Sequence, residues 1–226
     1  MSLRLLAIDT SEDGCSAALL VDGSVAERFE VAPRRHSELI LPMMQDLLSE
    51  AGLRLGDLDA LAFACGPGAF TGIRIAASVI QGVAFGAGLP VVPVSSLRAL
   101  AQGARREGGA DRVLSALDAR MGEVYWGAYR ADSAGIMYPV IAEAVCAPGA
   151  VSLPPGDGWR GVGSGWVSHE ATLTQRTGAG PPFLRDALVH ARDVATLAGL
   201  LFAEGVALPA EQALPVYLRD EVARAP

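Results

Sequence analysis

Two features of this 226-residue chain place chemically capable residues at telling spacings. The first runs from Cys65 to Gly86 and reads Cys-Gly-Pro-Gly-Ala-Phe-Thr-Gly-Ile-Arg-Ile-Ala-Ala-Ser-Val-Ile-Gln-Gly-Val-Ala-Phe-Gly. A glycine-rich turn feeds straight into a helix of small and apolar residues. The exposed N–H groups of such a junction can cradle an anion. Alternatively, its small-residue helix can let another helix approach closely. The second feature is a pair of acids, Asp9 and Asp118, each closing an apolar run and followed by a turn. Aspartate there can accept a hydrogen bond from the backbone two residues on, forming an Asx-turn.

Other chemistry is excluded by what the chain lacks. All eighteen basic residues are arginine, so no lysine can form a Schiff base or serve as a P-loop cation. The three histidines, His36, His169 and His190, lie far apart in sequence, and none has a second histidine at metal-pair spacing. His36 follows Arg34 and Arg35 at a helix start and reads as a solvated or capping residue. His169-Glu170 lacks the second half of a His-Glu-x-x-His motif. Gly163-Ser164-Gly165 has Val162 where a nucleophile elbow needs glycine, and reads as a tight turn. The three cysteines, Cys15, Cys65 and Cys146, form no C-x-x-C and fit a reducing compartment.

Composition narrows the class further. Half of the chain is hydrophobic (51%) and 19% is charged, which implies a folded core rather than disorder. The net charge of −7 makes an independent nucleic-acid binder a poor expectation, since phosphate contacts need cations. The opening Leu-Arg-Leu-Leu-Ala-Ile-Asp reaches an acid too soon for a signal peptide. Pro90 and Pro93 interrupt the most apolar stretch, Ile75 to Val94, so no membrane span is expected. These points imply a soluble, cytoplasmic protein.

The positioning elements repeat. Leu3 to Asp9, Cys15 to Val21 and Ser24 to Val31 read as three strands joined by a polar turn and an Asp22-Gly23 hairpin turn. Val113 to Asp118, Val124 to Tyr129 and Ile136 to Val145 repeat that layout. Helices are expected over His36–Ala51, stopped by Gly52, over Thr71–Phe85 and over Leu97–Arg106 behind a Ser95 or Ser96 cap. Two more are expected over Asp193–Glu204 and Leu218–Arg224. Pro148 to Gly158 reads as a surface loop. The duplication suggests an α/β protein of two lobes, residues 1–107 and 108–226, each a mixed sheet flanked by helices. The terminal helix after about 215 would pack back on the first lobe.

Leu6-Ala-Ile-Asp9-Thr10-Ser11 resembles the first phosphate-loop region of the actin/sugar-kinase/Hsp70 (RNase H-like) superfamily. Gly66-Pro-Gly-Ala-Phe-Thr-Gly-Ile-Arg-Ile, Pro90-Val-Val-Pro-Val-Ser-Ser-Leu, Leu117-Asp-Ala-Arg-Met-Gly-Glu-Val-Tyr-Trp126 and Pro215-Val-Tyr-Leu-Arg-Asp220 resemble a nearer family. That family is the bacterial tRNA threonylcarbamoyladenosine biosynthesis proteins of TsaB type. The resemblance runs from Leu5 to about Ala223 and is poorest over Ser133 to Gly180. It implies a non-catalytic subunit in N6-threonylcarbamoylation of adenosine 37 in tRNAs reading ANN codons. Its implied partners are a catalytic TsaD-like paralogue and a TsaE-like ATPase. The subunit would form a homodimer when alone and meet tRNA mainly through the complex.

The resemblance also bears on the site residues. The paralogue carries a His-x-x-x-His metal pair. Ser96 and Leu100 stand at those positions here, so no metal is expected. In superfamily ATPases, acids at the ends of these strands help bind magnesium phosphate. Asp9 with Thr10 therefore stands as a weak ATP or ADP candidate, although no cofactor is required. Ile73, Ala76, Ala77, Ile80 and Ala84 fall on one helix face, and Leu39, Met43 and Leu47 belong to a second apolar face. Either face could pack on its own sheet. In the family these two helices form the surface for self-association and for docking the paralogue, which makes these eight residues the expected partner-binding set. An ATPase or small-molecule kinase of the same fold is the alternative function, and a peptidase a more distant one.

Overall fold

A computed structural model describes residues 3–180 and 183–219. Two compact units emerge, each built on a five-stranded sheet. The first unit holds residues up to Ala99 together with Leu188–Pro215. Its strands are β1 (Arg4–Asp9), β2 (Gly14–Val21), β3 (Ser24–Val31), β4 (Ala60–Gly66) and β5 (Val91–Ser95), in the order β3-β2-β1-β4-β5. The β1–β2 and β2–β3 pairs are antiparallel, while β4 and β5 join in parallel. The parallel joins need crossovers. Helices α1 (His36–Ala51) and α2 (Phe70–Ala87) precede β4 and β5 respectively.

Both faces of this sheet are covered, which is why β4 is apolar throughout. Leu6 and Ile8 point to one face and join Phe63, Ile40, Leu47 and Ile80 in a core under α1 and α2. The alternate residues Leu5, Ala7 and Asp9 lie on the other face, with Leu20, Ala18 and Ser16 opposite them in register. Helix α6 (Ala191–Ala203) covers that side, with Gly199 set against Leu20. This contact carries α6 into the first unit, so a single cut at 107/108 does not describe the division. The break falls inside α3 (Ser96–Gly108), after Ala99.

The second unit holds Leu100–Ala187 and, among the described residues of the C-terminal end, Val216–Arg219. Antiparallel β6 (Arg112–Arg120) and β7 (Glu123–Ala131) form its centre, and β10 (Arg160–Val162) joins β6 in parallel. The expected single strand over Ile136–Val145 is two short ones. β8 (Met137–Pro139) and β9 (Ala144–Cys146) pair with opposite ends of β7. The β7–β8 ladder closes just past Pro139 with a bond from the Val140 N–H to Ala128 O at 2.8 Å. Trp126 and Trp166 form the core of this unit, with ring centroids 6.1 Å apart. Their indole N–H groups donate to Ser152 O at 3.0 Å and Leu114 O at 2.8 Å. Short helices α4 (Ser164–Ser168) and α5 (Glu170–Thr177) complete the unit. The Pro148 to Gly158 loop opens with a turn of 3-10 helix that buries Pro148. Two mixed sheets flanked by helices are what the repeat led one to expect. The expected helix Leu218–Arg224 lies almost wholly outside the described residues.

Candidate functional site

The glycine turn between β4 and α2 receives the β1–β2 turn rather than standing open. Ser11 O accepts the Ala69 N–H at 2.7 Å, and Thr10 Oγ1 donates to Gly72 O at 2.7 Å. The approach is so close that a Cβ on Gly72 would stand 2.0 Å from Thr10 O, and one on Gly68 would stand 2.5 Å from Ser11 O. These glycines are required by backbone contact within the unit. Asp9, Thr10 and Ser11 are completely buried. Of the weak nucleotide candidates, Asp9 bonds the Ser11 N–H and Thr10 bonds α2, and neither is exposed.

Asp9 Oδ1 accepts the Ser11 N–H at 3.1 Å. Burial outweighs that bond and pushes the carboxyl up to about 7. In the second unit Asp118 Oδ1 accepts the Arg120 N–H at 2.8 Å. Both acids therefore make the Asx geometry. The second unit also repeats the glycine junction. Gly163 follows β10 with φ +104, and a Cβ on it would meet Ala116 O on β6 at 2.4 Å. Ser164 Oγ then accepts the Asp118 N–H at 3.1 Å. The strand–glycine–helix junction is thus a duplicated packing device.

The expected partner-binding residues divide. Ile73, Ala76, Ala77, Ile80 and Ala84 are 0–4% exposed and face the unit's own sheet. Leu47 is buried with them, while Leu39 and Met43 are half-buried against the same core. The stripe is therefore interior rather than surface, because alanines let α2 sit close on the sheet. The outward face of α2 carries Thr71, Arg74, Ser78, Gly82 and Phe85. Phe85 is 82% exposed, and on α1 Leu41 is 50% exposed. Phe70 is also exposed, with the Arg74 guanidinium 3.5 Å above its ring. By length and hydropathy α2 is the one helix among the described residues that could cross a membrane, and its apolar stripe is the one lying on the sheet.

A family model described as TsaD, tRNA N6-adenosine threonylcarbamoyltransferase, matches residues 29–161. The tRNA threonylcarbamoyladenosine biosynthesis protein TsaB of Escherichia coli (strain K12) is 46% identical over 230 residues, covering 98% of this chain and 96% of its own. The chain belongs to the TsaB family. The TsaB protein of Haemophilus influenzae is 40% identical over 98% of this chain and 95% of its own. A solved structure of YeaZ from Pseudomonas aeruginosa superposes with a TM-score of 0.87 at 47% identity, covering 96% of this chain and all of that one.

In this TsaB-family chain Ser96 and Leu100 are both buried in α3. Ser95 caps that helix, its Oγ accepting the Arg98 N–H at 3.2 Å. His36 corrects the expectation of a solvated or capping residue. It is 7% exposed, and its Nε2 is buried without a hydrogen-bond partner among the described residues. His190 stacks on Phe29 with centroids 4.1 Å apart, and its Nδ1 lies 3.2 Å from Glu27 Oε2. Glu27 Oε1 also accepts the Arg192 N–H at 3.0 Å, capping α6. Sequence reading missed this link because 163 residues separate its two ends. Its only local signal is an acid on an otherwise apolar-alternating strand.

Proposed function

We propose that this chain is a non-catalytic subunit in the biosynthesis of threonylcarbamoyladenosine in tRNA, acting by binding a catalytic TsaD-like paralogue. The full-length likeness to proteins named for that pathway carries the reading. The outward faces of α1 and α2 are the proposed docking surface, and the same surface would hold the homodimer. Phe85 and Leu41 offer exposed apolar area, and Gly82 and Gly86 leave room for a partner helix to approach. This moves the docking residues from the stripe named by periodicity to the opposite side of α2.

The test is reconstitution of tRNA modification from purified components with and without this chain. Loss of modification without it is the expected result, and full-rate modification in its absence refutes the role. Phe85→Glu separates the surface from the fold. It leaves thermal unfolding unchanged and abolishes co-purification with the paralogue. Undiminished co-purification would put the contact elsewhere.

A further inference from the structure

Asp9 is a fully buried acid whose second oxygen, Oδ2, has no hydrogen-bond partner among the described residues. Burial is the strongest influence on it; the Ser11 hydroxyl and N–H and, more distantly, His190 favour its charge, while Glu27 opposes it. Across the β1–β2 pair stands Ser16, whose Oγ already accepts the Ala191 N–H at 2.9 Å. Glu27 on β3 takes the Arg192 N–H and faces His190, so the first N–H groups of α6 and the nearby histidine are occupied. Asp193, in the same first turn of α6, is a second buried acid. On β2, Cys15 is a buried thiol. The charged residue of α2, Arg74, is exposed and lies over Phe70. Removing a carboxylate from water costs far more than one amide hydrogen bond returns.

We propose that Asp9 carries a proton when the first unit is folded at neutral pH, and that its ionisation unseats the Thr10–Ser11 turn from the start of α2. The proton leaves for water, and the new charge needs water in turn. Water can reach it by displacement of the turn that covers it. The two bonds that seat the turn, from Ala69 N–H to Ser11 O and from Thr10 Oγ1 to Gly72 O, are the latch that opens. The direction of the burial effect agrees, since the carboxyl is raised to about 7 from 3.8. Between these values the folded chain holds a proton that the unfolded chain has lost, so stability falls as pH rises from about 4 to about 7 and levels off above. This device does not depend on the docking reading.

Urea unfolding of the full chain from pH 5 to pH 8 tests it. Relative to Asp9→Asn, the wild-type folding constant should fall about a hundredfold over that range. On the wild-type chain, carbon-13 NMR of the Asp9 carboxyl should show titration near neutrality, and the Ala69 amide should lose exchange protection through the same titration. A carboxyl already ionised at pH 5 overturns the proposal, even where Asp9→Asn fails to fold. So does an equal pH slope in the two chains, or Ala69 protection that ignores the titration.

Discussion

Gly72→Ala tests the central packing claim, because helix propensity and tertiary contact predict opposite signs for it. In a helix, alanine is favoured over glycine by about 1 kcal/mol. In this structure the new Cβ would stand 2.0 Å from Thr10 O, where real contacts stay above 3.0 Å. The β1–β2 turn must therefore retreat by at least an ångström. That displacement stretches two bonds of 2.7 Å, Ala69 N–H to Ser11 O and Thr10 Oγ1 to Gly72 O, past hydrogen-bonding range. Each loss is worth about 1 kcal/mol, and overpacking adds about 1–3 kcal/mol. Against the propensity gain, the net is about 2–4 kcal/mol of destabilisation. Gly82→Ala on the outward face of the same helix is the control, since its Cβ meets nothing within 4 Å. It should be neutral or stabilising by up to about 1 kcal/mol. Urea unfolding of both variants at constant m-value gives the comparison. Gly72→Ala unfolding at or above the wild-type midpoint would refute the claim that this glycine exists for the turn.

Gly163→Ala should cost at least about 2 kcal/mol by the same measurement, because it combines φ +104 with a Cβ 2.4 Å from Ala116 O. Glu27→Ala should cost about 1–2 kcal/mol through the lost α6 cap, and Glu27→Gln, which keeps an acceptor oxygen, should recover part of it in thermal unfolding. A thiol reagent at pH 8 should label half-buried Cys146 before Cys15, since burial pushes the Cys15 thiol up to about 12. Mass-spectrometric mapping of the first label decides this.

Local pattern by itself determined most of the elements. The three-strand opening of the first half, the two-strand opening of the second, the α1 bounds and the Gly52 stop follow from periodicity and turn residues, which are near-neighbour properties. The Asx-turn reading of Asp9 and Asp118 belongs to the same class, since the bond spans two residues. What the pattern could not supply was the side of α2 that meets the sheet. Periodicity identified the stripe of Ile73, Ala76, Ala77, Ile80 and Ala84, but an apolar stripe serves a sheet or a partner equally well. Only the placement of β1 and β4 beneath it settled that the stripe is core, leaving Phe85 outside. The purpose of the glycines was likewise tertiary. The Gly66-Pro-Gly68 turn reads in sequence either as an anion cradle or as the lead into a packing helix, yet the group that fills the space beside Gly68 and Gly72 is the Thr10–Ser11 backbone, brought in from about sixty residues away by the β1–β4 pairing. A contact between distant segments leaves no mark on either one beyond the absence of a side chain. For that reason the residues were legible in the sequence and their role was decided by the fold.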